Sequence, residues 1–164
     1  MAFDAYLQIE GIEGESTDSG HEGWIQLRDY SHNVTNETTG HSGGGHHTGG
    51  RCHHADISIT KPMDASSPNL LLACCQGKSH PTATIELCRS GASGTEMVPY
   101  QKVELKDVVV TSITPQGSEG SDFPTESVTL CYGTITWTYT KTDLTGNPTG
   151  EIVTGWDLGA NCPI

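Results

Sequence analysis

Apolar and polar residues alternate along most of this chain. Phe3, Ala5, Leu7 and Ile9 interleave with Asp4, Tyr6, Gln8 and Glu10, a period of two that predicts a half-buried strand over residues 2–10. Residues 11–23 are rich in Gly, Ser, Asp and Glu and read as a loop. A second strand is predicted over residues 24–34, with Ile25 and Leu27 on one face. Residues 36–50 hold six Gly and three His in fifteen positions. That composition predicts an extended loop or a protruding hairpin arm, of a length that small domains reserve for function or disorder. A returning strand is expected over residues 51–61, with Ile57 and Ile59 on one face.

One segment breaks the alternation. Ser67, then Pro68, then an apolar run to Cys75 and a closing Gly77 predict a short helix over 67–76. Ser67 is its expected cap, Pro68 its first residue and Gly77 its terminator. Its apolar positions go nearly all round, so neighbours must bury it.

The later strands each change face midway. Residues 84–89 place Ile85 and Leu87 inward. In residues 98–113, Val103 and Leu105 share one parity while Val108 and Val110 have the other, which predicts a bulge or twist near Asp107. Residues 125–140 repeat the device: Val128, Leu130 and Tyr132, then Ile135, Trp137 and Tyr139, with Gly133 at the switch. A last short strand is expected around Trp156. Long strands that switch faces predict a curved sheet. The expected fold is therefore mainly β, a closed or nearly closed antiparallel β-barrel in one domain over residues 1–164, with one helix and one Gly-rich loop.

Composition tests this picture. Leu, Ile, Val and Phe total 30 of 164 residues and the net charge is −12, a combination that warns of disorder. The 21 Thr and the alternation answer the warning, since both suit strands. Twenty acidic against eight basic residues leave nothing to neutralise a row of phosphates, so no nucleic-acid partner is expected. No apolar run is long enough to span a bilayer, so membrane insertion is not expected either. Residues 1–4 show no basic region leading into an apolar one, which predicts a protein made in the cytoplasm that, if it leaves, does so by a route that reads no signal peptide. Of the six cysteines, Cys74, Cys75, Cys88 and Cys131 fall in apolar or strand-like segments and are expected as reduced core residues.

Candidate chemistry is sparse. His46, His47, Cys52, His53 and His54 offer imidazole and thiolate, good ligands for zinc, copper or nickel. The spacing supports them poorly, because neighbours on a strand point to opposite faces. A solvated polar arm is the preferred reading and a His/Cys metal-binding protein the alternative. No nucleophile elbow, phosphate loop or dinucleotide fingerprint is present, so no enzyme activity and no cofactor are expected.

The chain also resembles a known family. Met1-Ala2-Phe3-Asp4-Ala5-Tyr6-Leu7-Gln8-Ile9-Glu10-Gly11-Ile12 and Gly14-Glu15-Ser16-Thr17-Asp18 are similar to the opening of the Hcp (haemolysin-coregulated) proteins of type VI secretion systems. Trp24-Ile25, Ser42-Gly43-Gly44-Gly45, Ala65-Ser66-Ser67-Pro68 with Leu70 to Cys74, and Glu86-Leu87-Cys88-Arg89 continue the likeness. Asp122-Phe123-Pro124-Thr125-Glu126, Trp137-Thr138-Tyr139 and Gly155-Trp156-Asp157-Leu158 carry it to the tail. The resemblance implies a homo-hexameric ring that stacks into a hollow tube, is expelled by a contractile sheath behind a tip spike, and carries effector proteins in its lumen. It places Ser42, Gly43, Gly44 and Gly45 at the ring-to-ring contact and makes Ser31 and His32 the candidates for lumen-facing cargo contact. The His/Cys cluster and the ending Asn161-Cys162-Pro163-Ile164 depart from the family pattern.

Overall fold

The computed structural model describes residues 4–39, 48–91, 94, 97–120 and 123–164. Twelve strands and one helix occur among them: β1 (Asp4–Ile9), β2 (Ile25–Leu27), β3 (Asp29–Ser31), β4 (Val34–Thr39), β5 (Thr48–His54), β6 (Ile57–Pro62), α1 (Ser67–Gln76), β7 (Ser79–Ser90), β8 (Met97–Gln116), β9 (Thr125–Cys131), β10 (Thr134–Thr142), β11 (Pro148–Asp157) and β12 (Cys162–Pro163). Every strand pair is antiparallel.

The barrel is a nearly closed circuit. β1 pairs with β2 and β7, β7 with β8, β8 with β9, β9 with β6, and β6 with β3. Only the step from β2 to β3 lacks a ladder, and there the chain itself crosses at Arg28, whose N–H donates to the Thr60 carbonyl at 2.7 Å. The strand predicted over 24–34 is therefore broken in two, because its halves serve different neighbours. The returning strand over 51–61 is likewise split. β5 belongs to a separate two-stranded sheet with β4, while β6 belongs to the barrel. Leu7, Ile25, Ile57, Ile85, Val103, Val108, Val128, Leu130 and Ile135 are fully buried inside the circuit, and Leu70 and Ala73 of α1 pack onto the same core.

The face switches lie where the parity placed them. Asp107 adopts φ +54°, a left-handed conformation that Asp tolerates better than most residues. Before it, β8 pairs with β10 as far as Lys106; after it, β8 pairs with β9 from Val109 onward. The one residue lets both halves keep their apolar side chains inward while β8 changes partner. Gly133 sits opposite, its N–H on the Lys106 carbonyl at 2.9 Å and the Asp107 side chain 3.2 Å from where a Cβ would stand. The second half of the 125–140 pattern leaves the core, however: Ile135 is buried and Trp137 partly so, but Tyr139 is 47 % exposed.

The helix spans the expected residues, with Pro68 in its first turn and Gly77 left-handed at φ +59°. Its cap differs from the expectation. Ser66 holds the cap position without a side-chain capping bond, its hydroxyl donating to Asp64 Oδ1 instead, and the Ser67 hydroxyl is committed elsewhere. It donates to Glu126 Oε2 at 2.7 Å inside a buried ion cluster. Lys61 Nζ lies 2.9 Å from Glu126 Oε2 and 2.8 Å from Asp64 Oδ1, and the Lys61 and Glu126 side chains are 0 % exposed. Lys61 and Glu126 face each other across the β6–β9 ladder, so the cluster ties the helix entry to the barrel wall.

The cysteine expectation is corrected in part. Only Cys88 is buried; Cys74 is half-buried, Cys75 and Cys131 are exposed, and all six are free thiols. Cys75 faces away from the helix side that carries Leu70 and Ala73. Cys131 ends β9 on the parity opposite Leu130.

Candidate assembly surfaces and an outer-wall cluster

Two hairpins extend beyond the circuit, one as a separate sheet and one as a continuation of the main sheet from β8. The first is the arm, β4 with β5, a sheet of its own. Ser42, Gly43, Gly44, Gly45, His46 and His47 lie outside the described residues. Of the remaining metal candidates, His53 stands opposite Thr35 and His54 opposite Val34, so the two imidazoles point to opposite faces. Cys52 stands opposite Asn36. Among the described residues, Cys52, His53 and His54 form no ligand cluster; the grouping with ligand geometry lies elsewhere.

His54 instead builds the base of the arm. Its Nδ1 lies 3.3 Å from the Tyr132 hydroxyl, which also lies 2.6 Å from His32 Nε2 and donates to the Ala55 carbonyl at 3.3 Å. Trp137 covers both imidazoles, with ring centroids 6.1 Å away in each case. Burial, and then the proximity of His54, hold the His32 imidazole below its ordinary pKa. Burial alone does the same to His54. Burial pushes the Tyr132 phenol up. His32 is thus half-buried in the arm's hinge. Ser31 beside it is exposed, paired with Ser58 across the β3–β6 ladder. The sequence placed both residues at a strand end; it carried no signal that Tyr132, a barrel residue 100 positions away, joins His32.

The second hairpin is β10 with β11. Residues 148–154 of β11 are exposed throughout, on both faces of the strand. β12 covers its outer edge only at Trp156 and Asp157, leaving the remaining edge without a described strand partner. Ile152 and Val153 are 52 % and 59 % exposed. An open edge with apolar side chains on it is a template for another chain.

A third feature lies on the outside of the wall. Glu86 and Cys88, two apart on β7, share the face opposite the core residues Ile85 and Leu87. The loop between β1 and β2 folds over them, pinned by Gly14 N–H to Gly23 O at 2.8 Å, Gly23 N–H to Ser16 O at 2.9 Å and Ser16 N–H to Trp24 O at 3.0 Å. It delivers His21, 2 % exposed, onto the face of Tyr6 at 4.2 Å and against the edge of Trp24 at 4.9 Å. His21 Nδ1 lies 2.8 Å from Asp18 Oδ2, and Nε2 lies 2.8 Å from Glu86 Oε2 and 3.8 Å from Cys88 Sγ. The hydrogen bond from His21 lowers the Asp18 pKa. Burial, then Glu86, Asp18 and Asp4, push the Cys88 thiol up to about 12. Sequence reasoning passed over this cluster, since His21 sits alone in a polar loop 65 residues from Glu86.

The chain's relatives accord with this architecture. Residues 6–139 match the family described as "Type VI secretion system effector, Hcp". Protein hcp1 of Pseudomonas aeruginosa is 34 % identical over 162 residues, covering 98 % of each chain. The "Major exported protein" of the same organism is 29 % identical over 167 residues, covering 90 % of this chain and 95 % of its own. A solved structure described as that of a type six secretion system protein superposes with a TM-score of 0.93 at 32 % identity, covering 99 % of this chain and all of the other. With the family pattern running from β1 into β10 and full-length relatives on either side of 30 % identity, the chain belongs to the Hcp family of type VI secretion system proteins.

Proposed function

We propose that the chain is a subunit of a type VI inner tube: six copies close a ring, rings stack, and effector proteins ride in the lumen until sheath and spike carry the tube out of the cell. The observation that carries this reading is β11, a strand whose residues 148–154 are wholly exposed in the single subunit. A head-to-tail contact that buries such an edge on the next copy closes into a ring when the rotation allows it. The arm supplies the second contact, with Ser42, Gly43, Gly44 and Gly45 reaching the neighbouring ring. Ser31 is the surface residue offered to cargo, and His32 sets the hinge behind it. The subunit acts by geometry rather than by bond-making, at first in the cytoplasm and then outside the cell. The name of the exported relative supports that route, and among the described residues no helix is long and apolar enough to cross a membrane.

Native mass spectrometry and electron microscopy of the purified chain test the proposal. Six times the 17.5 kDa subunit mass, in annular particles, is the expected result. Monomer alone across a wide concentration range defeats it.

A further inference from the structure

We propose that the outer-wall cluster is a binding site for a divalent transition metal of the zinc class, ligated by His21 Nε2, the Glu86 carboxylate and the Cys88 thiolate, with Asp18 orienting the histidine. This site is separate from the arm, and the cleft beside it borders β11 at Glu151.

The donor set is the first argument. One imidazole nitrogen, one carboxylate and one thiolate suit zinc and its borderline-soft neighbours, and three protein ligands leave a fourth position for water. Geometry is the second. Bonds of about 2.0–2.3 Å at tetrahedral angles set ligand atoms about 3.3–3.6 Å apart. Here Nε2 lies 2.8 Å from Glu86 Oε2 and 3.8 Å from Cys88 Sγ, and all three ligand atoms lie within 4.8 Å of one another. A shift of about half an ångström in the Glu86 side chain admits the ion at those bond lengths.

Support behind the ligands is the third argument. A ligating histidine ordinarily gives its other ring nitrogen to a carboxylate, which fixes the tautomer and aims the free nitrogen at the metal. Asp18 holds Nδ1 in that way at 2.8 Å. Tyr6 stacks on the ring with a 7° interplanar angle and Trp24 meets it at 86°, so the imidazole cannot swing away. Glu86 and Cys88 stand on one rigid strand. The cluster is dry on three sides, with His21 2 % and Cys88 3 % exposed. Access comes from Glu86, whose side chain is 16 % exposed. A cleft of about 300 Å³, lined in part by Glu86, Lys102 and Glu151, opens beside it.

Charge decides the exchange. Both His21 nitrogens face carboxylates at 2.8 Å, so the ring sits among anions that favour a cation. Cys88 is a thiol, held so by burial and by the anions Glu86, Asp18 and Asp4. An arriving dication displaces the Cys88 thiol proton to solvent, since the thiolate is the ligand. The anions that oppose a bare thiolate are the ones that attract a cation, and a bound metal deprotonates its thiol outright.

Cobalt(II) is the probe, added to the untagged full-length chain in place of zinc. The expected result is one Co²⁺ per chain with a thiolate-to-cobalt charge-transfer band, displaced by zinc. C88S abolishes the band. D18N retains it with affinity reduced about 10- to 100-fold. A variant with His46, His47, His53 and His54 replaced by Ser retains band and affinity. Absence of a thiolate band in the folded wild-type chain overturns the proposal without reference to any variant. So does a band that survives in C88S or disappears in the arm variant.

Discussion

Lys61 and Ile152 stand at opposite extremes of this molecule. Lys61, the residue type that most demands water, is wholly buried in the barrel wall; Ile152, a residue type that avoids water, is half-exposed on β11. The barrel meets the demand that Lys61 makes. Lys61 finds Asp64 and Glu126 at 2.8 and 2.9 Å, and the Ser67 hydroxyl at 3.2 Å completes its donors. The β10–β11 hairpin does not do the same for Ile152, because Tyr139, Ile152 and Val153 are left about half-exposed. One region is finished as a monomer and the other is finished by a second copy. A variant in the first therefore moves folding, and a variant in the second moves assembly.

The sharpest break is Lys61→Met. It leaves Asp64 and Glu126 as buried carboxylates without a counter-charge, a loss of about 3–5 kcal/mol in subunit stability by urea denaturation. The double variant K61M/E126Q removes the second charge as well and recovers most of that loss. A single variant as stable as wild type shows that the cluster does not hold the wall.

Gly14→Ala comes next. A Cβ there falls 2.4 Å from the Trp24 carbonyl oxygen, 2.7 Å from its carbon and 2.8 Å from the Ile25 Cα, all backbone atoms with nowhere to go. The loop over Glu86 and Cys88 must lift, at a cost of about 1–3 kcal/mol. Hydrogen exchange reads it as faster exchange at Ser16 and Gly23 with the barrel strands unchanged.

These two sites mark what the sequence could and could not carry. Alternation is local, so the strands, the helix span and the face switches at Asp107 and Gly133 were legible from residues a few positions apart. Breaks that depend on partners were not. Nothing near Arg28 announces that its neighbours pair with different strands, and Ser67 reads as a helix cap until Glu126, 59 residues on, takes its hydroxyl. The same holds for the clusters. The conspicuous run of His and Cys lies in and beside the arm, whereas His21, Glu86 and Cys88 come together only through the barrel's closure.

A smaller effect belongs to the arm's base. His32 and His54 both have pKa values held below the ordinary imidazole value of 6.5, so at mildly acid pH the unfolded chain binds more protons than the folded one. Stability is therefore full above pH 6.5 and falls as pH drops below it towards the folded values. Thermal melts of wild type and of H32N/H54N across pH 7.5 to 5 test this: the double variant loses less of its melting temperature over that range. Equal slopes assign the acid sensitivity to other groups.

The smallest expected change in the fold gives the sharpest test of the comparison. Ile152→Asp on β11 alters subunit stability by no more than about 0.5 kcal/mol, as exposed positions generally do, yet it removes an apolar side chain whose exposed half is worth about 1 kcal/mol at each contact where a second copy buries it. Sedimentation should then show monomers where wild type forms rings. Each copy already carries a net charge of −12, so the added carboxylate also increases repulsion between neighbours, and two controls separate the causes. Salt screens exposed charges within about 10 Å at 0.1 M and restores assembly only if repulsion is responsible. Ile152→Asn adds no charge and fails to assemble only if burial is responsible. Burial is the expected answer: I152N stays monomeric, and salt fails to rescue I152D. Rings from I152N that match wild type place the contact elsewhere and remove β11 from the interface.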